Sequence, residues 1–268
     1  MMRIAVITED SDVKILSKKG IFKKKGGKGI QITKSKELLE TLKLHNISSL
    51  PINDIENENI YKKALHEYIK PAVEMFGGKF IEIKRFMEKL VETKNIVDLY
   101  IISWRYGLIG DKEEIIPYTT PLGKGDNGMK NKNMTGVNDV LNLYKKHGIA
   151  KKIQSIINNY DISIILLPSV FLSALYYRDA KTNFLEGIKK GKRIIFVGSK
   201  MITEEMKEYA MKKNIKVITF PRAGVARIGK VNRENILKII SSMGTSEDYK
   251  SSKSEDEPVD SLIKSFKY

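Results

Sequence analysis

Ser103, Trp104, Arg105, Tyr106 and Gly107 follow the apolar run Leu99–Ile102 without a break, and Pro117-Tyr118 comes ten residues after Gly107. This puts a hydroxyl, the chain's only tryptophan, a guanidinium and two phenols within one short stretch. The flat faces of Trp104, Tyr106 and Tyr118 suit base stacking, worth about 1–3 kcal/mol per base. Arg105 suits bidentate contact with a phosphate. Ser103 can donate to a ligand or simply satisfy the end of a strand. Gly107 allows a tight turn or a close backbone approach. A second reading makes Tyr106, Leu108 and Tyr118 core residues that brace a structural loop; for the two tyrosines both readings stay open.

Carboxylates form the next group. Glu9, Asp10 and Asp12 come directly after the apolar run Arg3–Thr8. Three acids at a strand end could hold a hard cation such as Mg²⁺. A polar turn or helix start is the preferred reading, since no matching acidic cluster follows another strand. Asp10, Asp111, Glu113 and Glu114 are weak candidates for a carboxylate that activates water. The three histidines are far apart in sequence, so no metal site is expected, and no cofactor is read from the chain. With no cysteine, disulfides, thiolate metal sites and a cysteine nucleophile are all excluded. The chain has no G-x-S-x-G elbow, and no G-x-G-x-x-G follows its first strand.

Glycine-rich segments offer weaker signals. Gly26-Gly27-Lys28-Gly29 lacks the spacing of a phosphate-binding P-loop. It lies in a basic segment, residues 17–36, that reads as a hairpin or mobile arm, either reaching phosphates or simply solvated. A second segment, 123–136, is rich in Gly, Asn and Lys and reads as a long mobile loop beside the site. Ser199, in Gly198-Ser199-Lys200, opens a helix whose amino terminus could take an anion. Arg222 stands in the loop after the last strand.

These residues need strands and helices to position them. Buried strands are read at Arg3–Thr8, Leu99–Ile102, Ile162–Leu167, Arg193–Val197 and Val217–Phe220. Amphipathic helices are read between them: Lys36–His45 capped by Ser35, Glu58–Met75 with a kink or break at Pro71, Glu82–Thr93, Asn138–Tyr160 broken near Gly148, and Asn232–Met243. The alternation predicts an α/β fold, a mainly parallel central sheet flanked by helices with Rossmann-like or uracil-DNA-glycosylase-like layering. One domain over residues 1–243 is expected, followed by a disordered acidic-polar tail, 244–268. Loops at the carboxyl ends of such strands are where ligands bind.

The net charge is +16. The tail holds four lysines against six acids, so the rest of the chain carries +18. Such an excess favours polyanions through counterion release, although Lys-rich chains that bind no nucleic acid are also common. No apolar run approaches the roughly 20 residues that span a bilayer. The start of the chain turns acidic after a few apolar residues, unlike a signal peptide. A cytoplasmic protein with no membrane association is expected.

The stretch Ser103, Tyr106, Gly107, Leu108, followed by Pro117 and Tyr118, resembles a motif of the YaaA-like proteins and related small α/β domains. In these a strand runs into Ser-x-x-Tyr-Gly-Leu and then Pro-Tyr. Arg105 stands where a basic residue is common. The resemblance covers roughly residues 61–177. It implies an α/β fold close to that of uracil-DNA glycosylases, and DNA binding connected with oxidative stress. It implies no settled reaction.

The leading expectation is therefore a protein that engages nucleic acid or a nucleotide at the Ser103–Tyr118 loop, acting on a base or N-glycosidic bond in its catalytic version. One alternative is a metal-dependent nuclease or phosphohydrolase using Glu9, Asp10 and Asp12. The other is a DNA- or RNA-binding protein without catalysis.

Overall fold

A computed structural model describes residues 1–17, 29–120, 136–176, 184–198, 204–221 and 228–245. The first apolar run forms strand β1 (Arg3–Glu9), buried from Ile4 onward, followed by the short β2 (Val13–Lys14). β2 pairs antiparallel with β3 (Ile30–Gln31), so the two strands form the feet of the basic glycine segment. Residues 18–28 of that segment lie outside the described residues. Helix α1 (Lys36–Leu44) starts at Ser35, whose hydroxyl accepts from the Leu38 amide at 3.3 Å.

The helix expected over Glu58–Met75, with a kink or break at Pro71, is broken into several pieces. Helix α2 (Glu58–Ala64) stops early, β4 (Lys70–Pro71) is extended, and α3 (Ala72–Met75) is one turn. Part of the cause is local: the residue before a proline is disfavoured in helix, and Pro71 itself is extended at ψ 141°. β4 pairs with β7 (Glu114–Ile115). Helix α4 (Phe80–Glu92) then leads to β5 (Ile96–Ser103) and β6 (Gly107–Gly110). Helices α5 (Val137–His147) and α6 (Ile149–Asn159) meet at Gly148, which turns the chain at φ 62°. After them come β8 (Ile162–Leu166), α7 (Ser169–Tyr176), β9 (Arg193–Gly198), α8 (Glu204–Lys212), β10 (Lys216–Pro221) and α9 (Lys230–Thr245).

The central sheet runs β10-β9-β8-β1-β5-β6. Five strands are parallel, and β6 is an antiparallel edge. Taken in chain order the parallel strands stand 2-1-3-4-5, the order of flavodoxin-like doubly wound sheets. Side chains alternate along β1. Ile4 and Val6 join the core beneath α4 and α9, while Ile7 joins the core beneath α5, α6, α7 and α8. A third, smaller core gathers α1, α2 and Ile116 at the β5–β6 side. The fold is thus the expected helix-flanked, mainly parallel sheet. Among the described residues no helix is long and apolar enough to cross a membrane.

Candidate functional site

In a sheet of this order the crevice for a ligand opens beyond the carboxyl ends of the strands, where chain connections diverge on either side of β1. Here that point lies between β1 and β8. Of the twelve buried polar or charged residues among those described, eight sit at or beyond the carboxyl ends of β1 and β5. An edge built only for packing would be apolar, so this concentration marks the candidate site.

The turn joining β5 to β6 is its centre. Instead of the open loop expected after Ser103, the chain reverses at once, with Ser103 opposite Gly107 in register. Gly107 has φ +76°, and a Cβ there would stand 2.7 Å from the His147 side chain on α5. The space beside Gly107 is therefore filled by His147 and not offered to a ligand. Burial, then Lys146 and Lys152, lower the pKa of His147.

Ser103 organises the turn. Its Oγ accepts from the amides of Arg105 at 3.2 Å and Tyr106 at 3.0 Å. With its acceptor capacity filled, its own proton goes to the Tyr118 hydroxyl at 2.8 Å. Tyr118 in turn donates to Asp10 Oδ2 at 2.5 Å, and the Trp104 amide donates to the same oxygen at 3.2 Å. Every proton in the chain Ser103–Tyr118–Asp10 thus points toward the carboxylate. Burial first, then the charge and hydrogen bond of Asp10, push the Tyr118 hydroxyl far above the usual tyrosine range, so it remains a donor. Lys14, fully buried, lies over the Tyr118 ring at 4.5 Å and the Phe76 ring at 5.0 Å and donates to the Ser11 carbonyl.

The opposite side of the same turn is a closed ion cluster. Arg105 is fully buried. Its Nε and Nη2 donate to Glu58 Oε2 at 3.0 and 2.7 Å, and Nη1 donates to Asp54 Oδ1 at 2.7 Å. Nη1 also reaches the Ile52 carbonyl and Nη2 the Asp54 carbonyl. A guanidinium has five N–H donors, and all five are used. Burial alone would raise the pKa of Asp54, but hydrogen bonds from the Ile52 amide, Arg105 and Tyr61 bring it down to about 2.

The sequence reading offered Arg105 to a phosphate; the structure gives it to Asp54 and Glu58. It offered three rings for stacking; Tyr118 is fully buried and Trp104 nearly so, edge-on to Phe171. Tyr106 keeps partial exposure, but its ring stands edge-on to Tyr118 and its hydroxyl donates to Glu58 at 2.8 Å. These rings brace the turn. The three acids at the end of β1 diverge: Glu9, its last residue, faces the opposite way from Asp10 as neighbours on an extended chain do, and the bend at Asp12 turns that side chain elsewhere. Asp10 turns to Tyr118, Asp12 to Thr120 and Gln31, and Glu9 to the α5 side, where its charge reaches Tyr144. Among the described residues no group of three acids or histidines could hold a metal ion.

Asp111 and Glu113 lie off this edge. Asp111 follows β6 and donates its amide to Leu99, midway back along β5, and Glu113 Oε1 accepts from the Gly110 amide at 2.7 Å. Ser199, Arg222 and the 121–135 part of the Gly/Asn/Lys loop lie outside the described residues. Asp54, Glu58, Lys14, Ser11 and Thr120 belong to the site's framework but carry no sequence signal. Asp54, Glu58 and Thr120 gain their roles from partners far along the chain, and Ser11 and Lys14 from each other and from the rings over which Lys14 lies. Compared with known proteins, the chain matches no family model, no curated protein and no solved structure.

Proposed function

We propose that the protein binds a nucleotide, free or within a nucleic acid, at the carboxyl edge of its sheet beside β1 and β5, with Asp10 as the oriented carboxylate of the site. The observation that carries this is the buried proton chain from Ser103 through Tyr118 to Asp10, with the Trp104 amide on the same oxygen. Open α/β sheets bind ligands beyond the carboxyl ends of their strands, and a carboxylate held there by fixed donors is preorganised for a contact. The net charge of +16 supplies the attraction for phosphate. The convergence of Ser103, Tyr106 and Tyr118, fifteen positions apart at the extremes, also supports treating the YaaA-like motif as one physical unit.

The sole tryptophan bonds Asp10 through its own amide, so its fluorescence reports the site directly. Titration with mononucleotides and with single- and double-stranded DNA and RNA should change that emission. The nucleic acids should bind with a steep inverse dependence on salt. Asp10→Asn should weaken mononucleotide binding by about tenfold, a change of about 1.4 kcal/mol. Wild-type affinity in Asp10→Asn, or no binding by wild type at low salt, would overturn the reading. Release of free base during the titration would extend it to cleavage of the N-glycosidic bond.

A further inference from the structure

At the same edge as the Asp10 chain stands Glu9, which accepts from the Thr8 hydroxyl at 3.4 Å. Glu9 lies two residues beyond Ile7, on the α5 side of the sheet, and is 7% exposed. Its charge reinforces the effect of burial in pushing up the Tyr144 hydroxyl. Tyr144 donates to the Phe171 carbonyl at 3.2 Å, and the two rings meet at 6.3 Å. Trp104 stands edge-on to Phe171 at 5.9 Å and is 7% exposed. Its Nε1 is sealed from solvent and has no acceptor.

An indole N–H can only donate. Buried polar groups without a partner are rare, and each calls for an explanation. Phenylalanine would serve packing at this position without an orphaned donor. Tryptophan's polar handle instead sits at the carboxyl end of β5, next to the strand that flanks the switch point. The carboxylate on the same side also limits what the N–H can meet. A phosphate beside Glu9 would bring two like charges together, whereas a neutral acceptor would not.

We propose that Trp104 Nε1 is a recognition donor for the ligand's nucleobase, giving its proton to a ring nitrogen or carbonyl oxygen, while the charge of Glu9 on the same side of the sheet turns the phosphate away. The base lies toward α5 and α7, and the phosphate points away from Glu9. This rests on the nucleotide reading above and adds to it the direction in which the ligand lies.

The test uses the full chain labelled with ¹⁵N, whose single tryptophan gives one indole N–H resonance. GMP, AMP, UMP and CMP are titrated in turn, with ribose 5-phosphate as a base-free control. At least one nucleotide should move the indole resonance downfield, and ribose 5-phosphate should leave it in place. Replacing Trp104 with β-(3-benzothienyl)alanine keeps the bicycle and removes the N–H. The replacement should weaken that nucleotide by about tenfold and leave ribose 5-phosphate unaffected. Nucleotide binding without movement of the resonance, or with equal affinity after the replacement, would overturn this inference and leave the nucleotide reading standing. No binding of any nucleotide by wild type would overturn both. A resonance already downfield in the free protein and unmoved by nucleotide would mark a bound water as the acceptor and likewise overturn it.

Discussion

The two sides of the Ser103–Gly107 turn are built on opposite principles. On the α2 side Arg105 spends all five donors on Glu58, Asp54 and two carbonyls, and nothing in that cluster is left for another molecule. On the β1 side the hydrogen bonds run in one direction, toward Asp10, and the neighbouring Trp104 carries a donor with no acceptor. A saturated network fixes geometry, whereas a buried donor with no acceptor, as at Trp104 Nε1, can be completed by a ligand. The two differ in a further way. The ion cluster ties residues 52–58 to the sheet, whereas the Asp10 chain ties the ends of two sheet strands to Tyr118.

Removing one partner from the ion cluster tests this contrast most severely. Arg105→Met leaves Asp54 and Glu58 facing a buried apolar chain and should cost about 3–5 kcal/mol in denaturant unfolding. Nucleotide affinity of the fraction that stays folded should be unchanged. Adding Asp54→Asn and Glu58→Gln to Arg105→Met should recover part of the loss, because the unpaired charges go with it. A large fall in affinity without a fall in stability would break the comparison.

Tyr118→Phe should act the other way. It strips Asp10 of one donor and leaves the Ser103 proton without an acceptor, for a loss of about 1–3 kcal/mol. Here nucleotide affinity should drop as well, since the carboxylate loses the group that orients it. If Tyr118→Phe alters stability alone, the β1 side is as structural as the α2 side.

Acid gives the smallest effect. Asp54 has a folded pKa of about 2 against an ordinary 3.8. The unfolded chain therefore takes up this proton first. The stabilisation is present above the ordinary value and is lost as pH falls from 3.8 toward 2. Asp54's side chain is one quarter exposed, so solvent screens part of it. Urea midpoints measured between about pH 5 and pH 2 should fall less steeply in Asp54→Asn than in wild type. An identical slope would show that Asp54 serves the cluster by position and not by charge.

Read alone, the chain of residues already determines the α/β class, the five buried strands and most of the flanking helices. Such features follow from short-range rules: apolar runs of strand length, apolar faces at helical spacing, Ser35 as a cap, and Gly148 as a break. The importance of the Ser103–Tyr118 stretch was legible too, because rare residue types cluster there. Their roles were not. Arg105 reads as a phosphate ligand until Asp54 and Glu58, some fifty positions away, are brought against it. Trp104 and Tyr118 read as stacking surfaces until Phe171 and Asp10 close over them. The helix read over Glu58–Met75 does break before its proline, but the strand at Lys70–Pro71 was not legible, because its pairing partner Glu114–Ile115 lies far along the chain. A side chain's type limits what it can bond. Which of its possible partners it meets depends on contacts between distant segments, and only folding brings those segments together.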